Sequence, residues 1–183
     1  MKNKLVFIAI FFILFNFSAK GAIEPPFKNM LVLKNPKLYN QITFEDYDGN
    51  FINLNNFNNK IYILNFWATW CAPCKKEMIF LDEFHQKYYE EGFRVLAIST
   101  DSPKSMSKVK SYIRAKKHTF MVGLDPNQEI ARKMNALLMP TVLILNKDRK
   151  VSWYHQGFIP GDEKEIEAQI RTVLKLDQEK VGE

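Results

Sequence analysis

Cysteine is scarce in this chain. Its 183 residues contain two, Cys71 and Cys74, confined to one four-residue window. A disulfide scaffold needs several pairs spread through a chain, so a single close-set pair argues against that class. The loop it would close is too short to remove much entropy from the unfolded chain, which disfavours a structural staple as well. There is no second close cysteine pair, and His85, His118 and His155 are scattered. A zinc site therefore has no support, no metal or other cofactor is expected, and each histidine reads as structural or solvated. No block of basic residues occurs either. Lys75-Lys76 and Lys116-Lys117 are the closest approach to one, and no nucleic-acid-binding motif accompanies them. The formal charge of +6 then describes a solvated surface, and a nucleic-acid partner is not expected. There are no internal repeats.

The apolar run Leu5 to Phe17, broken only by Asn16, is well short of the roughly 20 residues a spanning helix needs. It follows the basic stretch Met1-Lys-Asn-Lys4 and precedes small residues at Ala19 and Gly21, the layout of a secretory signal peptide over residues 1–21. Lys20 interrupts the cleavage region, so an uncleaved N-terminal membrane anchor is the alternative. Cleavage after Gly21 would remove Lys2, Lys4 and Lys20 and no acids, half of the excess positive charge. The protein is expected to be exported, to the periplasm or to a membrane-anchored position facing it. Residues 22–40, with Pro25, Pro26 and Pro36, read as a linker, 41–176 as the folded domain and 177–183 as a C-terminal tail.

Within the domain, Thr43–Tyr47 and Phe51–Leu54 flank Asp48-Gly49-Asn50, a β-hairpin signal, and a polar turn over 55–59 follows. Apolar strands are predicted at Ile61–Ala68, Phe93–Ser99, Phe120–Val122 and Thr141–Leu145, with Val151–His155 as the hairpin partner of the last. Helices are predicted over Lys75–Tyr89, from Ser102-Pro103 to about Ala115, from Asp125-Pro126 through Met134, and over Asp162 to about Lys175. Strands alternating with helices give an α/β sheet, mixed at one edge by the final hairpin.

Trp70-Cys-Ala-Pro-Cys74 lies between a strand and a helix start, a placement with redox chemistry in it. The reactive species is the thiolate. At a helix N-terminus the unpaired N–H groups and the helix dipole favour negative charge, which can bring a thiol from roughly 8.5 into the ~3.5–7.5 range. Cys71 is then the exposed attacking sulfur, and Cys74, one turn inward and partly covered, resolves the mixed disulfide. Ala72-Pro73 contains no cation to stabilise the thiolate further, which argues mildly against a strongly oxidising couple. Glu77, three residues after Cys74, shares its helix face. It is either a proton shuttle for Cys74 or an ordinary surface glutamate. Met139-Pro140-Thr141 precedes an apolar strand, and composition alone makes Pro140 trans. Trp67 reads as core and Trp70 as part of a substrate surface.

Asn65-Phe-Trp-Ala-Thr-Trp-Cys-Ala-Pro-Cys-Lys-Lys-Glu-Met78 resembles the active-site signature of thioredoxin-like proteins, in particular the exported TlpA-like thiol–disulfide oxidoreductases that include the reductases of cytochrome c maturation. The resemblance runs from about residue 40 to 175 and takes in the Asp-Gly hairpin, Ser99-Thr-Asp101, Leu124-Asp-Pro126 and Pro140-Thr141. It implies a thioredoxin-like mixed sheet flanked by helices, with an N-terminal β-hairpin and a strand–helix insertion over 99–126. By position it implies that Cys71 is the nucleophile, Cys74 the resolving cysteine, and Cys71–Cys74 a redox disulfide. It also implies that Glu77 tunes Cys74, since thioredoxin's buried Asp is replaced here by Asn65, and that Pro140 is cis and helps hold an extended substrate. Met139 and Trp70 border that groove, and Leu138-Met139 stands where many relatives carry a glycine or β-branched residue. The implied partners are a protein substrate with a disulfide, apocytochrome c foremost, and a membrane thiol-transfer protein as electron donor. Two other readings stand beside it. A thiol peroxidase would need a Thr three residues before its Cys, and Thr69 is two before Cys71. A copper metallochaperone would want a distal His near the pair, and His118 lacks any spacing signature.

Overall fold

The structure, a computed structural model, describes residues 42–56 and 60–176. The expectations for 1–21, 22–40, 177–183 and most of the 55–59 turn fall outside the described residues. Seven strands are present: β1 (Thr43–Asp46), β2 (Phe51–Asn53), β3 (Ile61–Trp67), β4 (Phe93–Ser99), β5 (Met121–Leu124), β6 (Thr141–Leu145) and β7 (Val151–Gln156). Four α-helices accompany them: α1 (Ala72–Lys87), α2 (Met106–Lys116), α3 (Glu129–Lys133) and α4 (Asp162–Leu174). Among the described residues no helix is long and apolar enough to cross a membrane.

The strands form one sheet in the order β2-β1-β5-β4-β3-β6-β7. Its centre, β5-β4-β3, is parallel, and every other pairing is antiparallel. The sheet is therefore mixed on both flanks, not at one edge as the hairpin pattern alone suggested, because β1 docks antiparallel on β5 with Glu45 opposite Leu124. All seven residues of β3 are buried, as a central strand covered on both faces requires. Its alternate side chains feed two cores. Ile61, Ile63 and Trp67 join Met78 and Leu81 of α1, Val109 and Ile113 of α2, and Ile166 and Ile170 of α4 on one face. Tyr62, Leu64 and Phe66 join Ile130 and Ala131 of α3 on the other.

The first helix begins at Ala72, so Cys71 stands at its N-terminus as expected. One element departs from expectation. The helix expected from Asp125 forms only at Glu129, because Gln128 takes a left-handed φ of 56° and Asp125 instead spends its carboxylate on the backbone N–H groups of Glu129 and Ala131, at 2.9 and 2.8 Å.

Three chain segments meet at one end of the sheet. β3 and β4 are parallel and in register from Ile61/Phe93 to Trp67/Ser99, so the residues after them emerge together. β6 runs antiparallel to β3 with Thr141 opposite Phe66, which brings Pro140 to that same end.

Candidate active site

β3 ends at Trp67, and four residues later Cys71 caps α1 in an extended conformation (φ −85°, ψ 103°). Its Sγ accepts the backbone N–H of Cys74 at 3.2 Å, taking the place an N-cap oxygen usually fills. Pro73 sits in the first helical turn, which contains no acidic residue to oppose the positive end of the helix dipole. A disulfide joins Cys71 to Cys74 across a Cα–Cα distance of 5.3 Å. Cys71 is 4% exposed and Cys74 fully buried. The expected order of exposure holds, but Cys71 is not the open sulfur the motif suggested: bonded to Cys74 and packed into the core that contains Trp67 and Met78, it shows only a sliver of surface.

Behind the disulfide lies Glu77, completely buried. Burial pushes its carboxyl up to about 8, a hydrogen bond from Asn65 pulls against that shift, and the charge of Asp162 adds to it. Asn65 Nδ2 donates to Glu77 Oε2 at 2.5 Å. The other oxygen of each side chain, Glu77 Oε1 and Asn65 Oδ1, has no partner. An amide can meet either form of its neighbour, donating to the carboxylate or, turned over, accepting from the neutral acid. The surface alternative for Glu77 is thus overturned as to place, because the α1 face carrying Cys74, Glu77, Met78 and Leu81 is the one pressed on the sheet.

The Met139–Pro140 peptide bond is cis, contrary to the default from composition and in line with the resemblance. Pro140 O accepts the N–H of Gly157 at 2.8 Å, and Leu138 O accepts the Thr141 hydroxyl at 2.5 Å, so both ends of this loop are tied. Trp70 is 71% exposed, while Trp67 is buried and packs on Tyr112 with ring centroids 5.2 Å apart. Leu137 and Leu138 on the Pro140 loop and Ile159 just beyond Gly157 are exposed as well. Four of the large apolar side chains left open to solvent therefore lie on the segments bordering Cys71.

Sequence reasoning treated Ser99-Thr-Asp101 only as a strand end. In the structure Asp101 is buried and both of its oxygens engage Thr69, two residues before Cys71. Its signal was weak, since an acid after a strand is usually solvated. Asn65 was read by position alone, and its contact with Glu77 spans twelve residues. His85 lies elsewhere, buried toward the far end of α1, beside Tyr89 and Phe120.

The sequence profile of the Redoxin family matches residues 27–170. Relatives named thiol-disulfide oxidoreductase ResA include that of Bacillus thuringiensis subsp. konkukian, 36% identical over 106 residues, with 58% of this chain and 60% of the relative covered. That of Oceanobacillus iheyensis is 31% identical over 121 residues, with 66% and 62% covered. The chain thus spans about 60% of the length of these curated relatives. Among solved structures, a thioredoxin-like protein from Porphyromonas gingivalis is 30% identical with a TM-score of 0.63, covering 73% of this chain and 90% of that one. A candidate thiol:disulfide interchange protein DsbE from Chlorobium tepidum is 27% identical with a TM-score of 0.68, covering 73% and 92%. With the profile spanning most of the chain and solved relatives sharing its mixed thioredoxin-like sheet, the chain belongs to the Redoxin family.

Proposed function

We propose that this protein is an exported thiol–disulfide oxidoreductase that reduces disulfides in protein substrates through a Cys71/Cys74 dithiol. The observation that carries the reading is the disulfide at the start of α1 with a fully buried Glu77 one turn behind it. In the reduced enzyme the Cys71 thiolate attacks one sulfur of the substrate disulfide, forming a mixed disulfide and releasing a substrate thiolate. The ionised form of Glu77 takes the proton of Cys74, becoming the neutral acid, and the Cys74 thiolate attacks Cys71 Sγ. The second substrate sulfur leaves, and Cys71–Cys74 becomes the disulfide. Two electrons have passed from the enzyme dithiol to the substrate.

Glu77 suits the proton step because burial raises its carboxyl to about 8, toward the range in which an ordinary thiol titrates (roughly 8.5). The exposed apolar residues bordering Cys71 favour an extended polypeptide over a small molecule, and the Met139–Pro140 loop offers it a backbone to lie against. The N-terminal targeting pattern supports export. Apocytochrome c as substrate and a membrane thiol-transfer protein as electron donor rest on the family resemblance, and the relatives named thiol-disulfide oxidoreductase ResA support the reaction type. The peroxidase alternative is disfavoured because the Thr69 hydroxyl is committed to Asp101.

The test is disulfide reduction by wild type and Cys71→Ser. Loss of turnover in the variant is expected, and retained turnover would sink the mechanism. Oxidation of an apocytochrome c peptide dithiol, rather than reduction of its disulfide, would reverse the proposed direction.

A further inference from the structure

We infer that the end of β4, Ser99-Thr100-Asp101, is a clamp that sets the gap between the cysteine loop and the Pro140 loop, with Asp101 and Thr69 as positioning residues. This rests on the dithiol reading above and concerns how a protein substrate is seated for it.

Asp101 is 1% exposed, and both of its carboxylate oxygens engage Thr69. Oδ2 accepts the backbone N–H of Thr69 at 2.7 Å, and Oδ1 accepts the Thr69 hydroxyl at 2.6 Å. The Ser99 hydroxyl donates to Oδ2 at 3.0 Å, which steadies the carboxylate from its own strand. Thr100 grips the other end of the same turn. Its N–H and its hydroxyl both reach the carbonyl of Trp67, at 2.9 and 3.2 Å. The Thr100 hydroxyl also lies 3.8 Å from Met139 Sδ, on the cis-proline loop. One short segment thus touches both the turn before Cys71 and the cis-proline loop, and belongs to neither.

Hydrogen bonds to an ionised carboxylate are shorter and stronger than neutral ones. Removing a donor would leave a buried charge short of partners, so the geometry is stiff. What it fixes is the three-residue turn immediately before Trp70 and Cys71. An extended polypeptide must reach Cys71 Sγ while lying along the Met139–Pro140 loop. A misplacement of about 1 Å between those two segments can cost on the order of 10²-fold in rate. A small thiol reagent touches only the sulfur and is indifferent to the gap. The clamp therefore acts on protein substrates selectively.

The experiment compares full-length wild type with Thr69→Val, Thr69→Ser and Asp101→Asn. Each is assayed for reduction of insulin disulfides and, in the reduced state, for alkylation of Cys71 by iodoacetamide across pH. Thr69→Val is expected to lower kcat/KM for insulin about tenfold, chiefly through KM, while alkylation at matched thiolate fraction stays within about twofold. Thr69→Ser, which restores the hydroxyl, should return kcat/KM to the wild-type value. Asp101→Asn should follow Thr69→Val or exceed it. The clamp is overturned if Thr69→Val equals wild type on insulin, if both assays fall in parallel, or if Thr69→Ser behaves as Thr69→Val. Should Asp101→Asn fail to fold, the near-isosteric Thr69→Val pair still decides the matter. If wild type itself leaves insulin disulfides intact, the dithiol reading fails and the clamp falls with it. An active wild type with indifferent variants removes the clamp alone.

Discussion

Glu77 and His85 lie on the buried side of the same helix, about two turns apart, and burial moves them in opposite directions. The carboxyl of Glu77 is pushed up to about 8, and the imidazole of His85 is pushed below its ordinary value. The cause is shared: a low-dielectric surrounding disfavours whichever form carries charge. Both groups are thereby biased toward the neutral state, and each keeps one polar atom without a partner. What separates them is the neighbour. Glu77 stands one turn from Cys74, whose sulfur gains and loses a proton in the proposed cycle, and Asn65 meets its carboxyl. His85 stands among Tyr89 and Phe120, with ring centroids 5.4 and 6.4 Å away, where nothing exchanges a proton. A perturbed titratable group is thus a site only where the adjacent chemistry uses it.

The contrast can be broken most sharply at Glu77. Glu77→Gln keeps the shape and the amide contact but removes the proton acceptor. Resolution of the mixed disulfide should slow by about a hundredfold, the general acid–base share. Stopped-flow trapping of the intermediate, with Cys74 titrated in parallel, measures it; an unchanged Cys74 titration would take the role away. His85→Phe, by contrast, should leave turnover within about twofold of wild type, since it lies about two turns along α1 from Glu77, beside Tyr89 and Phe120.

Stability against pH sharpens the same comparison. Glu77 in the oxidised fold holds its proton to about pH 8, whereas the unfolded carboxyl loses it near the ordinary 4.5. Its contribution is complete below that unfolded value and is lost as pH rises through the folded one. Urea unfolding of the oxidised protein should show a decline between about pH 5 and 8 that Glu77→Gln abolishes. His85 and His118 act at the other side. Both are lowered chiefly by burial, with Asp82 opposing the shift. The unfolded chain then takes up protons first as pH falls through the ordinary histidine value of 6.5, and the fold is weakened there. His85→Phe should flatten part of that acid-side loss. The smallest effect lies at the exposed end of α1, where Lys87 meets Glu167 at 2.6 Å. Lys87→Met should cost under about 1 kcal/mol, because exposed ion pairs are screened and their side chains lose entropy.

Much of this fold was legible because its signals are local. The buried run Ile61–Trp67, the Asp48-Gly49-Asn50 hairpin and the final helix all came from spacing and turn residues that act within one element. The late start of α3 was not legible, since Asp125-Pro126 reads as a helix opening and only the left-handed Gln128 shows otherwise. The β1–β5 pairing that makes the sheet mixed on both flanks joins residues almost eighty positions apart, beyond any periodicity. The location of Glu77 was equally undetermined by spacing, because an i to i+3 relation says which face it shares and not what that face meets.

By itself the sequence determined the chemistry: two cysteines alone in the chain, placed at a helix start, and an acid one turn further on. Those are covalent and short-range facts, set by residue identity and helical pitch. Tertiary structure decided everything that depends on distance across the chain. It buried Glu77 against Asn65, brought Pro140 to the end of the sheet from which the cysteine motif emerges through the antiparallel register of β6 on β3, and turned Asp101 onto Thr69 thirty-two residues away. Burial and register are properties of the packed sheet, and they set a buried carboxyl behind the cysteine motif and bring the cis-proline loop to the same end of the sheet.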